Sequence, residues 1–252
     1  MPTWIKHKLE FNGEKEKVNL FLKQFESLIK NETTGKIEKN YFDFNTIIPM
    51  PEDLSIDNDE KAIIYYATDR CIKNIRDMTN NKYCLYVDGH SMLFSAAYYY
   101  NRLLTTSNIY SQQDFDDMYN TGKKLCNNID NYGYSHWYDW CKANWGCKWT
   151  SCETQKEDNI ISFLTSYSVP MKVYDKLSQL CEDAGITMSI KYASEECGLR
   201  SGRITGGILA NTHYTYPKDS QLGYENYVEI WGKDNNPYLK KINGKYVITE
   251  ER

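Results

Sequence analysis

Thirteen residues, Trp137 to Trp149, read WYDWCKANWGCKW and hold four of the chain's six tryptophans. Each tryptophan removes a large amphipathic surface from water. A group this dense therefore either pins one element onto another or forms an aromatic binding surface. Trp137, Trp140, Cys141 and Trp145 recur at helical spacing, on one face of a short helix that Ser135 can cap and Gly146 can close. This spacing favours the packing role and leaves Asp139, Lys142 and Asn144 to water. Trp149, on the strand expected next, would complete the same core. The alternative is a stacking platform, on which each base would contribute about 1–3 kcal/mol.

Strand and helix signals alternate around this segment. Residues 3–11, TWIKHKLEF, alternate as a strand does, and Asn12-Gly13 turns the chain into a helix. Val18, Phe21, Leu22, Phe25, Leu28 and Ile29 give that helix one apolar stripe. Tyr41–Ile48 (YFDFNTII) reads as strand or extended chain, stopped by Pro49 and Pro51, which makes the opening β-α-β. Helical stretches at Glu60–Met78, Met92–Leu104 and Asp114–Asn127 follow, joined by polar loops at Asn80-Asn81 and Asp88-Gly89. They predict an insertion that packs on the rest. Beyond the tryptophans, Cys147–Cys152 reads as a strand start and Asn159–Tyr167 as a strand. Pro170 opens a helix striped by Val173, Leu177, Leu180 and Cys181, and Gly185 ends it. Ile186–Ala193 and Leu199–Leu209 are expected as two further strands. The tail predicts a helix at Tyr224–Trp231 and a hairpin at Tyr238–Thr249, turned at Asn243-Gly244.

That order gives an α+β fold, an antiparallel sheet with helices on one face and a helical insertion in the first half. The expected divisions are 1–51, the N-terminal β-α-β part of the sheet domain, and 52–131, the insertion. Residues 132–216 form the second half of the sheet domain, and 217–252 the terminal helix and hairpin.

Five segments carry a family resemblance: MPTWIKHKLEFNG, FDFNTIIPMPEDL, WYDWCKANWGCKW, FLTSYSVP and KYASEECGLRSG. In order and approximate spacing over most of residues 1–210, the chain resembles the YubB-like family of phage and plasmid proteins. Cys147, Tyr167 and Val169 depart from that pattern, where a Thr, a Trp and a Pro are usual. The resemblance implies a ferredoxin-like domain in the second half and carriage on a mobile element. It implies no enzymatic activity.

Reactive residue types are present, but none stands in a catalytic pattern. His7, His90, His136 and His213 are scattered, and no nucleophile elbow or Cys-His signature accompanies them. Cys141, Cys147 and Cys152 near His136 match no common zinc spacing. Eight cysteines without a CxxC pair are expected as free thiols of a reducing compartment. Glu195 and Glu196 are adjacent, so on a strand they would face opposite ways; a solvated turn is expected. Asp114, Asp116 and Asp117 lack the glycine and distal Glu of a calcium loop and fit the first turn of a helix. Ser201–Gly207 (SGRITGG) has glycines but no following helix to cradle phosphate, and reads as a hairpin.

Recognition remains. The chain is expected to be a non-enzymatic mobile-element protein that binds and inhibits a host protein or ribonucleoprotein complex. An immune effector such as a CRISPR-Cas nuclease complex is the fitting class. Aromatic-rich surfaces favour such interfaces, and the chain holds 22 tyrosines. The alternative is binding of RNA or single-stranded DNA on the ferredoxin-like sheet. A formal charge of −4 argues against broad nucleic-acid binding, unless Lys6, Lys8, Lys191, Arg200 and Arg203 converge on one face. Tyr98, Tyr99, Tyr100, Arg200 and Arg203 are the candidate contact residues; Trp137, Trp140, Trp145 and Trp149 are assigned to the core. No metal or cofactor is expected. No apolar run is long enough to span a bilayer and no secretory h-region is present, so the expected location is the host cytoplasm.

Overall fold

Alternation in the first strand sets the whole sheet. In the computed structural model, which describes residues 3–30, 35–77, 86–87, 90–91, 111–207, 212–232 and 235–249, β1 (Trp4–Asn12) turns Ile5, His7, Leu9 and Phe11 inward. Lys6, Lys8 and Glu10 point the other way, as the two-residue period of a strand requires. Helix α1 (Lys15–Lys23) follows and buries Val18, Phe21 and Leu22.

The chain then departs from the expected opening. The helix stops at Lys23, and Leu28 and Ile29 lie in β2 (Ser27–Lys30), which pairs with β3 (Ile37–Asn40) in a separate two-stranded hairpin. Tyr41–Ile48 is not a strand. Asp43 accepts a hydrogen bond from the Asn45 N–H at 3.0 Å and starts the one-turn helix α2 (Phe44–Ile47). A local side-chain bond of this kind offers the backbone a turn in place of a ladder.

Residues 51–140 form one compact unit, and residues 1–50 with 141–252 the other. In the first of these, a 3-10 turn (Glu52–Leu54) precedes α3 (Glu60–Asp77), the short strands β4 (Tyr86–Val87) and β5 (His90–Ser91), and α4 (Gln112–Tyr132). Ser111 and Asp114 form a capping box at the start of α4, so the acidic cluster is a helix start. Helices α3 and α4 meet at Gly122, where a Cβ would lie 2.0 Å from the Ala62 carbonyl oxygen; only glycine permits that approach. Asn128 ties the 3-10 turn to α4 by donating to the carbonyls of Asp53 and Ser135 at 2.8 and 3.0 Å. The helix expected at Met92–Leu104 lies outside the described residues.

Helix α5 (Trp137–Asn144) carries the chain into the second unit, and Gly146 closes it in the left-handed conformation. The remaining elements are β6 (Cys152–Glu157), β7 (Ile160–Ser166), α6 (Met171–Asp183), β8 (Thr187–Ser194), β9 (Ser201–Gly206), β10 (Thr212–Thr215), α7 (Gln221–Trp231), β11 (Leu239–Ile242) and β12 (Lys245–Ile248). Of Cys147–Cys152 only Cys152 enters β6. That segment is strapped to residues 40–44, with Thr150 Oγ1 donating to Asp43 at 2.9 Å and accepting the Phe44 N–H at 2.8 Å.

Six strands make one antiparallel sheet in the order β10-β9-β8-β1-β7-β6. The fold is α+β, and β1, β6, β7 and β8 stand in an order compatible with a ferredoxin-like arrangement. Helices α1 and α6 cover the inner face, where Phe21 meets Phe11 and Tyr174 meets His7. Aromatic rings run from Phe11 through Phe21, Phe25, Phe42 and Phe44 to Trp145, each pair 5.0–6.1 Å apart. Helix α7 packs on the opposite face, burying Tyr224, Tyr227 and Ile230 with Ala193.

Candidate functional site

The inner face carries the most perturbed side chain of the sheet. His7 is fully buried and stacks on Phe163 at 4.9 Å. Its Nε2 lies 2.7 Å from Thr165 Oγ1, and its Nδ1 lies 2.7 Å from the Tyr174 hydroxyl. Thr165 donates its own proton to the Ser168 carbonyl at 2.8 Å. It must therefore accept from Nε2–H, which leaves Nδ1 to accept from Tyr174 and makes the ring neutral. Burial agrees, pushing His7 down to about 3. A ring with both nitrogens satisfied and no solvent access is a core residue, not a base awaiting substrate.

The outer face is different in kind. The register sets Lys8 opposite Lys191, Lys191 opposite Arg203, and Arg203 opposite Tyr214. Three cations on three adjacent strands thus form one row, ended by a tyrosine that is 47% exposed. Directly opposed like charges destabilise a sheet. Lys191 is relieved by Glu229 of α7, whose two carboxylate oxygens lie 2.5 and 2.7 Å from its ammonium. Lys8 and Arg203 have no ion pair among the described residues. Lys6, one step along β1, places its ammonium 5.5 Å from the Trp231 ring. A cleft of about 200 Å³ opens here, lined by Lys6, Lys8, Ser162, Glu229 and Ile230. The neighbouring row runs from Glu157 and Ile160 through Glu10 to Ser189, Thr205 and Thr212. Acid therefore gathers toward β6, and cations and hydroxyls toward β8–β10. Tyr216 meets Tyr214 edge-on at 5.3 Å and extends the aromatic end.

The residues singled out in the sequence scatter across these settings. Arg203 joins the row. Arg200 does not: it is exposed, and its guanidinium donates to the Tyr167 carbonyl. Tyr98, Tyr99 and Tyr100 lie outside the described residues. Of the four tryptophans assigned to the core, Trp140 and Trp145 are buried, and Trp145 donates to the Ile48 carbonyl at 2.9 Å. Trp137 is half-buried and donates to Asp57 at 3.2 Å. Trp149 departs from the expectation. It is 37% exposed, with the Lys148 ammonium 4.2 Å from its ring, because it precedes β6 and never enters the strand. Glu195 and Glu196 do sit in a turn, accepting from Trp4 N–H at 3.0 Å and from the Thr3 hydroxyl at 3.3 Å.

Three described cysteines are held as thiols. Burial pushes Cys141 and Cys181 up to about 12 and Cys147 higher still, so all three remain protonated. Among the described residues no cluster of His, Cys, Asp and Glu has metal-binding geometry, and no helix is long and apolar enough to cross a membrane. Lys8, Lys191 and Arg203 belong together only through strand register, and the sequence marks them by nothing more than their outward place in alternating segments.

No family model matches the chain, and no curated protein matches it. Among solved structures it is similar to the crystal structure of a protein api92 from Yersinia pseudotuberculosis, described by the family model DUF1281. The two share 10% identity, with 85% of this chain and 98% of that one covered and a TM-score of 0.34. A likeness of that size carries no argument about function.

Proposed function

We propose that the protein is a non-enzymatic recognition protein that binds single-stranded nucleic acid across the outer face of its sheet. The row Lys8–Lys191–Arg203, ending at Tyr214, is the observation that carries this reading. Phosphates track the cations, and a base stacks on Tyr214 for about 1–3 kcal/mol. The formal charge of −4 keeps indiscriminate binding to duplex weak, so affinity rests on this one strip. A fluorescently labelled oligothymidylate titrated across a salt series tests it. Each phosphate contact made by a cation without a carboxylate partner contributes about −0.7 to the slope of log affinity against log salt, so Lys8 and Arg203 give about −1.4. Lys8→Ala and Arg203→Ala each flatten the slope by about 0.7. A wild-type protein that shows no salt-dependent binding sinks the reading.

A specific observation favours a second reading, a host protein partner such as an immune effector complex. The β2–β3 hairpin presents Leu28 and Ile37 at 74% and 72% exposure, with Lys30 and Lys39 on the same face. Together on one face and flanked by lysines, these aliphatics form a small apolar patch with a polar rim, the composition of a protein interaction site. Affinity capture from the natural host followed by mass spectrometry tests it. The captured protein must be lost with Leu28→Asp and retained with Lys8→Ala.

A further inference from the structure

We infer that Glu229 is a built-in phosphate surrogate on the outer sheet face, and that it restricts the site to extended polyanions. The inference rests on the nucleic-acid reading above and adds a selectivity residue to it. Lys191 is the central cation of the row, with Lys8 and Arg203 on its two sides. Its ammonium is held by both oxygens of one carboxylate at 2.5 and 2.7 Å, much as a phosphate would hold it. That carboxylate comes from α7, whose buried Tyr224, Tyr227 and Ile230 fix the helix on the sheet. Asn226 fixes it further by donating to the Tyr192 carbonyl at 2.9 Å and to Ser201 Oγ at 2.7 Å. The acid is thus anchored by packing, while its own pair with Lys191 is partly exposed, 37% and 44%, and open to exchange.

Consequences for ligands follow from this geometry. A single phosphate arriving at Lys191 meets an anion already in place and gains one partner at the loss of another. An extended strand grips Lys8 and Arg203 first, and the local phosphate concentration it then supplies displaces Glu229. Glu229 therefore rejects small anions and admits a chain of them.

Glu229→Gln is the test, with Glu225→Gln as the control. Glu225 is exposed on the same helix and makes no contact with Lys191 among the described residues. With labelled oligothymidylate, Glu229→Gln raises affinity about two- to fivefold, the strength of an exposed ion pair expressed as an equilibrium constant. The salt slope steepens by about 0.7, because phosphate reaching Lys191 no longer has to release a carboxylate that then gathers a counterion of its own. Inorganic phosphate, the single-anion probe, competes better against the variant than against the wild type. Glu225→Gln produces none of these changes, and the double variant Lys191→Ala/Glu229→Gln loses the gain. The inference is overturned if wild type binds while Glu229→Gln keeps the wild-type affinity and slope, or if Glu225→Gln gains as much. Absence of binding by wild type and Glu229→Gln alike overturns the nucleic-acid reading instead.

Discussion

His7 and Lys8 are neighbours in sequence and opposites in circumstance. They share one strand of one sheet, yet His7 is sealed among Phe163, Tyr174 and Tyr192 while Lys8 stands on a wet face beside Lys191. The inner face satisfies every polar atom of His7 and so leaves it nothing to do. The outer face sets like charges against one another and satisfies only one of three from within. Unusual burial and perturbed ionisation mark functional sites in many proteins. Here they mark the core, and the unbalanced row marks the surface proposed to bind.

That contrast can be broken in stages. Phe163→Ala, deep in the inner face, is expected to cost about 3–5 kcal/mol in denaturant-unfolding measurements. A loss below about 1 kcal/mol would show that the ring stack is not the core of the sheet. Acidification comes next. The folded protein keeps His7 neutral down to about pH 3, whereas the unfolded chain protonates it near 6.5. The stability this burial allows is complete above 6.5 and falls with pH at about 1.4 kcal/mol per unit until about 3. Comparing wild type with His7→Phe isolates this effect: the variant's stability declines less steeply over that window. Tyr174→Phe strands the Nδ1 acceptor and should cost about 1–3 kcal/mol, with little change in the pH profile's position. Lys8→Ala, on the outer face, changes unfolding free energy by less than about 0.5 kcal/mol. Its effect is read in the salt slope of oligothymidylate binding. If instead Lys8→Ala destabilised the fold as Tyr174→Phe does, the two faces would not differ as described.

Much of this architecture was legible from residues close in sequence. Alternation in TWIKHKLEF placed His7 and Lys8 on opposite faces, and Asn243-Gly244 turns β11 into β12 with both residues at positive φ, 49° and 80°. The helical spacing of Trp140 and Trp145 marked both as buried. Three departures from the expected elements have two origins. Leu28 and Ile29 continue a helical spacing, but pairing with Glu38 and Lys39 takes them into a hairpin. YFDFNTII has the composition of a strand, yet Asp43 and Asn45 bond to nearby backbone and turn it. Trp149 lies ahead of β6 because Thr150 is tied to Asp43, 107 residues earlier. For YFDFNTII side chains within the segment override the local pattern; for Leu28, Ile29 and Trp149 a partner outside the window does. The cation row is the extreme instance, since Lys8 and Lys191 meet only once β1 and β8 are in register. Helix α7 on the outer face was expected as a helix, but nothing in its sequence said which face it would cover.

The position of β1 also dictates an order of events. This strand lies at the centre of the sheet, with β7 on one side and β8 on the other, and both follow it by more than a hundred residues. On a ribosome making about 5–20 residues per second, β1 waits on the order of 10–30 s for its first partner. Throughout that time both its edges are open, though Phe21 of α1 is at hand to cover Phe11. Sheet closure is thus a late, long-range step, slow by its topology. The helical pair at 51–140 is complete in sequence before β7 is made and can form while the strand is still waiting.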